Sequence, residues 1–552
     1  MRRTSDRAAI PTSKTSLVGA PTTAPSVKIF NTTGLCPPSK HYMLPALPRL
    51  PEAEDLIEGG RYFVIHAPRR SGKTTFLNAL SQKINSEGRR HSLYCSIGSF
   101  GDIENEESAV TKILGQIKVA LYASGVDVLK DKRDKYDNSP DLNIAGDKIR
   151  IFLNMLREDL DKDLVVFIDE ADGLSGPGLV TFLSQIREGY MVRHLPGNKF
   201  PRSLVLVGVR DIRDYLARVR PDAESLGSAS PFDIKKKALT LADFTREEIN
   251  SLYGQHTEAS GQVFEEGAVD RAWRWSQGQP WLVNALADEV VEAILKKDYS
   301  TAVTGALVDE AARNLIIRRD THIDSLLARL DEPRVGRVME PVIAGNSRWG
   351  KEVKEDDIKY VEDLGLIKHA GGAWIPANPV YASAITSALT WRIELFIPKY
   401  PDDKWIDGRN ILMTSFLKEF QGFWRRNADK IDKPDGYAEA FPRLVLSAFT
   451  RRLLVRGVRL RDQDFGLGRV DILAEYQGRL YPVEIKTRPA DGAPSQIIKD
   501  GVRRLRSFME ERGSSDEGWL IVFDMDPNKS WNKKIKWKSI PYKKATIHVV
   551  GC

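Results

Sequence analysis

The sequence predicts an α/β multidomain chain: a mostly parallel sheet flanked by helices in the first half, a helical region after it, and a second α/β unit towards the C-terminus. Three observations carry this. At 552 residues the chain is too long for one hydrophobic core, since single domains run to ~100 to 200 residues, and three or four domains are expected. Short apolar, β-branched runs alternate with helix-period segments up to Asp243, as in a sheet covered on both faces. After Asp243 the pattern changes to helices, and strand-like runs with a tight turn return around Gly478.

Taken in order, residues 1–27 are rich in Ser, Thr, Pro and Ala with scattered Arg and Lys, and lack an apolar h-region. Residues 1–44 are therefore expected as a disordered or extended tail; an organellar transit peptide shares this composition and is the alternative. Residues 45–243 form the first unit, with strands expected at Tyr62–His66, 92–97, 164–168, 203–209 and 238–241. Helices are expected at 75–85, 147–160 and 179–188. A helical region at 244–333 opens on Thr245 and Glu248, a T-x-x-E capping box ahead of Ile249 and Leu252. Residues 334–395 read as helix, helix, short strand, Gly371-Gly372 turn, short strand and closing helix, the order of a winged helix. Pro398 and Pro401 punctuate a charged linker, and residues 396–552 make the last unit.

Composition sets the class. With 42% hydrophobic and 28% charged residues this is ordinary soluble-protein composition, and no apolar run is long enough to span a bilayer. Cys36, Cys95 and Cys552 lie far apart without zinc-ligand spacing, so neither a disulfide framework nor a metal cage is indicated, and a cytoplasmic location fits best. The net charge of +7 is modest for this length and is weak evidence for nucleic acid.

The segment Ala67-Pro68-Arg69-Arg70-Ser71-Gly72-Lys73-Thr74 matches G-x-x-x-x-G-K-[ST], with Ala67 in place of the first glycine. In such a loop the backbone amides point inward around phosphates, the lysine ammonium reaches the β and γ groups, and the hydroxyl binds Mg²⁺. Thr75 follows on the helix whose positive N-terminus faces the anion. Independently, an apolar run ends in Asp169-Glu170, where Asp169 would hold Mg²⁺ and Glu170 would act as general base on the attacking water. An acidic pair that merely ends a strand is the bland alternative. Arg210 and Arg213, after the strand at 203–209, are candidates for a γ-phosphate sensor or arginine finger, with a solvated turn as the alternative.

The loop APRRSGKTT, the strand VVFIDE, the strand LVLVGVRD and the segment GQPWLVNALA resemble the AAA-like P-loop ATPases of the additional-strand catalytic-Glu class. The resemblance covers roughly residues 45–390. It implies a core of strand order 51432, a helical lid, a winged helix, and switching or mechanical work driven by ATP.

Further on, Asp471 and the stretch Tyr481-Pro482-Val483-Glu484-Ile485-Lys486 read as adjacent strands joined at Gln477-Gly478. The period of two puts Glu484 and Lys486 on one face, and a hairpin brings Asp471 beside them. Two such carboxylates call for a divalent metal, and a lysine beside them would position a water or stabilise phosphate charge. This D-x12-E-x-K array resembles the PD-(D/E)XK nucleases, of restriction-endonuclease-like fold. The resemblance implies another metal-binding acid at Glu439 and places Arg504 near the position of a Gln or Lys on the following helix. An exposed cross-strand ion pair is the alternative. Lysines 533, 534, 536, 538, 543 and 544, interleaved with Trp531, Trp537 and Tyr542, have the composition that holds a phosphate backbone.

Together these readings predict an ATP-hydrolysing protein with Mg²⁺ as cofactor, coupled to a metal-dependent DNA nuclease-like domain. ATP and DNA are the expected partners, a membrane is not, and homo-oligomer formation is left open. One rival is an ATP-driven switch or scaffold whose last domain binds nucleic acid or protein without cleaving it. A weaker third is a final domain that serves only as a protein-interaction module.

Overall fold

A computed structural model describes residues 26–98, 106–124, 132–143, 145–173, 176–209, 234–343, 349, 353–397, 405–431, 440–454, 458–461, 471–488, 494–512 and 516–552. Arg210, Arg213, Glu439 and the linker prolines Pro398 and Pro401 lie outside the described residues.

The first unit is a five-stranded sheet of β1 (Tyr62–His66), β2 (Arg90–Ser96), β3 (Asp163–Asp169), β4 (Ser203–Gly208) and β5 (Lys235–Thr240). The order in space is β2-β3-β4-β1-β5 with every pairing parallel, which is the expected 51432 arrangement. Alternation explains why it is covered twice. Tyr62, Val64, Leu164, Val166, Ile168, Leu204 and Leu206 face one core, while Phe63, Ile65, Val165, Phe167, Val205 and Val207 face the other. α1 (Glu52–Glu58) and α2 (Lys73–Glu87) cover the second face, through Ile57, Phe76, Leu77 and Leu80. α3 (Glu106–Ala123), α4 (Arg133–Asn138), α5 (Lys148–Asp159) and α6 (Gly176–Val192) cover the first.

Next come α7 (Arg246–Ser260), α8 (Glu266–Ser276), α9 (Pro280–Asp288), α10 (Gly305–Arg318), α11 (Thr321–Leu327) and α12 (Pro333–Ile343). The capping box on α7 forms as expected: Glu248 N donates to Thr245 Oγ1 at 3.1 Å and Thr245 N to Glu248 Oε2 at 2.8 Å. Residues 26–44 turn back on themselves at 38–40, bridging Ile29 to His41, and pack on this helical layer. Phe30 and Tyr42 are buried against Tyr253, and the Tyr42 hydroxyl lies 3.0 Å from His256 Nδ1. α13 (Glu355–Asp363), an antiparallel hairpin of β6 (Ile367–Ala370) and β7 (Ala373–Pro376), and α14 (Pro379–Phe396) complete this part.

After a short hairpin, β8 (Ile406–Asp407) and β9 (Asn410–Ile411), come α15 (Met413–Asn427) and α16 (Phe441–Thr450). A six-stranded sheet follows, made of β10 (Arg459–Arg461), β11 (Ile472–Tyr476), β12 (Arg479–Arg488), β13 (Glu517–Asp524), β14 (Trp537–Tyr542) and β15 (Ala545–Gly551). Its order is β10-β11-β12-β13-β15-β14, with β12, β13 and β15 parallel and the rest antiparallel. The turn between β11 and β12 has Gln477 at φ 49° and Gly478 at φ 80°, the left-handed pair a two-residue hairpin needs. α17 (Pro494–Arg512) covers one face through Val502, Leu505, Phe508 and Met509, and Gly501 permits this contact because a Cβ there would lie 2.4 Å from Leu520. α15 and α16 cover the other face, where Trp424 packs edge-on to Phe523 at 5.2 Å. Among the described residues no helix is long and apolar enough to cross a membrane.

Candidate functional site

β1 ends in the loop 67–72, and α2 starts at Lys73. Gly72 caps that helix with φ 93°, and a Cβ there would also come within 2.9 Å of Arg49 Nη1. Ala67 keeps a negative φ, so alanine fits where the motif has glycine, and its amide donates to Gly208 O at 3.3 Å. Arg49 braces the loop from outside: Nη1 donates to Ser71 O at 3.1 Å and Nη2 to Ala242 O. Arg70 holds a left-handed φ of 60° through its own contacts, donating from Nη1 to Thr32 O at 2.8 Å and lying 5.2 Å from the Trp281 ring.

Because β1 and β3 are parallel with β4 between them, the loop and the tip of β3 open on one edge of the sheet. There Thr74 Oγ1 donates to Asp169 Oδ2 at 2.8 Å, Tyr94 OH donates to the same oxygen at 3.0 Å, and Glu170 N donates to Oδ1 at 2.8 Å. Burial pushes the Asp169 carboxyl above the usual range, and the Thr74 and Tyr94 donors offset part of that rise. Glu170 has φ 57° and accepts from Ser96 Oγ at 2.5 Å. Lys73 Nζ donates to Ala67 O at 2.7 Å and Pro68 O at 2.9 Å; burial pulls its ammonium down to about 8, against the charges of Asp169 and Asp172.

A cavity of about 590 Å³ opens over these groups. Arg69, Arg70, Gly72, Lys73, Thr74 and Thr75 border it on one side and Asp169 and Glu170 on another. Its far end is walled by Asn31 to Cys36 of the N-terminal stretch, which no motif includes, and by Trp281 and Asn284 of α9, from the segment GQPWLVNALA. Among the described residues the buried Ser71 hydroxyl has no partner, and the loop leads into a helix N-terminus, so the residues present fit a phosphate chain with its cation. Tyr94, Ser96 and Arg49 escaped sequence reasoning. The signal available for the first two was their place on β2, next to the strand that ends in Asp169.

No family model matches the sequence, and no curated protein does. Among solved structures, a Walker-type ATPase of Pyrococcus abyssi is 16% identical at TM-score 0.43, covering 62% of this chain and 96% of that one. The ORC2 protein of Aeropyrum pernix is 15% identical at TM-score 0.36, over 62% of this chain and 91% of its own. The RuvB Holliday junction branch migration motor of Thermotoga maritima is 16% identical at TM-score 0.32, over 60% of this chain and 90% of its own.

A second cluster sits on the six-stranded sheet, where Asp471 precedes β11 and Glu484 and Lys486 share a face of β12. Glu484 is 0% exposed and Asp471 7%, so this is a buried group and not an exposed cross-strand pair. Lys486 Nζ donates to Glu484 Oε1 at 2.5 Å, and Arg504 Nη1 of α17 approaches the same oxygen at 3.4 Å. Asp471 accepts from Arg443 Nη2 at 2.5 Å and from Ile485 N at 2.6 Å. Burial and the Asp471 charge push the Glu484 carboxyl up to about 7, against the pull of Lys486 and Arg504. Glu484 Oε2 is buried with no hydrogen-bond partner among the described residues, and a cation or a proton completes such an oxygen. In that respect the residues fit a single divalent ion. Among the described residues no group of three or more His, Cys, Asp or Glu is placed to hold a metal. Arg443 was not anticipated; it lies 28 residues before its partner, and nothing local marks it.

Proposed function

We propose that this chain binds ATP with Mg²⁺ in the cleft over β1 and β3 and hydrolyses it. One observation carries the reading: the Thr74 hydroxyl lies 2.8 Å from Asp169 across the sheet edge, where the loop 67–72 enters α2 and inside a cavity of nucleotide size. Thr74 and Asp169 would hold the ion, which when bound neutralises phosphate charge. Lys73 would leave the carbonyls of Ala67 and Pro68 for the phosphates, and Arg69, Arg70 and Thr75 would flank them. Glu170 would orient and deprotonate the attacking water, with Ser96 fixing its carboxylate. Arg210 is retained as the candidate γ-phosphate sensor. The test is Lys73→Ala: ATP turnover, followed as phosphate release, should vanish, and turnover at the parental rate would refute the assignment.

The units follow the resemblance: 45–243 as nucleotide module, 244–333 as lid, 334–395 as winged helix and 396–552 as a nuclease-like domain. A second activity is supported by the buried, donorless Glu484 Oε2 beside Asp471 and Lys486. In this reading these residues carry metal-dependent hydrolysis of a DNA phosphodiester, with Lys486 positioning the water or the phosphate oxygen. Mg²⁺- or Mn²⁺-dependent cleavage should disappear in Asp471→Ala and Lys486→Ala. Intact single strands, duplexes and branched DNA, with and without ATP, would favour instead an ATP-driven switch whose last unit only binds.

A further inference from the structure

Among the described residues, Arg443, Lys486 and Arg504 surround Asp471 and Glu484. They are unevenly placed. Arg443 and Asp471 form the deepest pair, with side chains 5% and 8% exposed, whereas the Arg504 side chain is 43% exposed. Every Asp471 oxygen is spoken for: Oδ1 accepts from Arg443 and Oδ2 from the Ile485 amide. The Ile485 bond ties Asp471 to the strand that carries Glu484 and Lys486, and Arg443 ties it to the first turn of α16. Among the described residues, Glu484 Oε2 has no donor.

A metal ion and a guanidinium compete for the same lone pairs, and a buried ion pair resists loss of either partner because the other charge is then left uncompensated. A divalent ion entering here finds one carboxylate oxygen with no donor on it; a ligand from Asp471 would have to be an oxygen that already accepts from a guanidinium or an amide, and the guanidinium's positive charge opposes a second cation beside it. We propose that Arg443 is the resident cation of this cluster: it withholds Asp471 from metal ligation, so that Glu484 alone anchors the divalent ion. Asp471 is then a positioning residue, which locks β12 and Arg443 in place, and the ion binds more weakly than two free carboxylates would hold it. The inference rests on the second reading above, that this cluster takes a divalent ion at all.

Mn²⁺ binding to the full chain, followed by electron paramagnetic resonance, separates the two. The measurement is made without nucleotide and in an Asp169→Asn background, which silences the other cation site. One weak Mn²⁺ site is expected, lost in Glu484→Gln and retained in Asp471→Asn. Arg443→Gln should tighten it at least about tenfold, and Arg443→Lys, which keeps the charge, should not. If Arg443→Gln fails to fold, the comparison of Asp471→Asn with Glu484→Gln decides alone. Loss of the site in both of those variants would overturn the division of roles while leaving the metal reading intact. No Mn²⁺ bound at this cluster, in the parent or in a folded Arg443→Gln variant, would overturn the metal reading and this inference with it.

Discussion

Glu170 is placed by contacts on three sides, and each makes a separable demand. Its backbone is left-handed, Ser96 holds its carboxylate, and Gly98 leaves it room, since a Cβ at Gly98 would lie 2.3 Å from Glu170 Oε2 and 2.8 Å from its Cβ. Gly98→Ala should therefore displace the carboxylate and lower kcat about tenfold or more, with ATP affinity little changed. Steady-state phosphate release beside labelled-nucleotide binding reads the two effects apart. Glu170→Gln should likewise keep nucleotide and lose turnover by two orders of magnitude or so, the amide being unable to take the water's proton. An unchanged kcat in either variant would remove Glu170 from the proposed chemistry. The turn from β1 through Gly72 into α2 was readable in the sequence because its parts are contiguous and each answers a local need. Ser96, Tyr94 and Arg443 were not, because a polar residue on a strand or helix looks alike whether its partner is water or a carboxylate many positions away.

At the scale of elements, the turn from α8 into α9 is governed by Gly278, which has φ 85° and whose missing Cβ would stand 2.0 Å from Phe244 O. Gly278→Ala meets both left-handed strain and a backbone clash, and should cost about 2–3 kcal/mol in denaturant unfolding. The far end of α9 carries Asp288, half-buried and pushed up to about 6 by burial, with Glu292 and Glu289 adding to the rise. Its folded pKa thus exceeds its unfolded value. Whatever stability the protonated form contributes is complete below about pH 4 and is lost as the pH rises through 6. Asp288→Asn should accordingly raise stability at pH 7.5, by about 1 kcal/mol once solvent screening of this part-exposed group is counted, and change little at pH 4; equal melting shifts at both pH values would contradict this. The strands of the first sheet were legible because both faces are buried and their apolar runs are unbroken. Their ends moved by one to three residues, as in β5, where Lys235, Lys236 and Lys237 join a strand whose recognisable part starts at Ala238. Lys235 pairs opposite Tyr62 through its backbone, which makes no demand on side-chain polarity, and the register is irregular before Ala238.

For the whole molecule, the cleft is assembled from stretches far apart in the chain: residues 31–36, the loop after β1, the tip of β3 and α9. The N-terminal stretch reads as a tail by composition, yet Phe30 and Tyr42 are buried among Tyr253, His256 and Phe264, and Thr32 O accepts from both Arg70 and Trp281. Its two carbonyl contacts and few apolar anchors fall too far apart to make a periodic pattern. A chain beginning at residue 45 should bind ATP at least about tenfold more weakly, and melt lower, than the full chain; equilibrium dialysis with labelled nucleotide and thermal unfolding test the two effects.

The underside of the phosphate loop has its own consequence. A Cβ on Gly365, in the turn between α13 and β6, would lie 2.8 Å from Pro68 Cβ, and His66, one residue before Ala67, lies 3.8 Å from Asp363 at the end of α13. The floor of the loop thus rests on the turn that leads from α13 into β6. Any rearrangement of the loop backbone bears directly on that turn, as a cam bears on its follower.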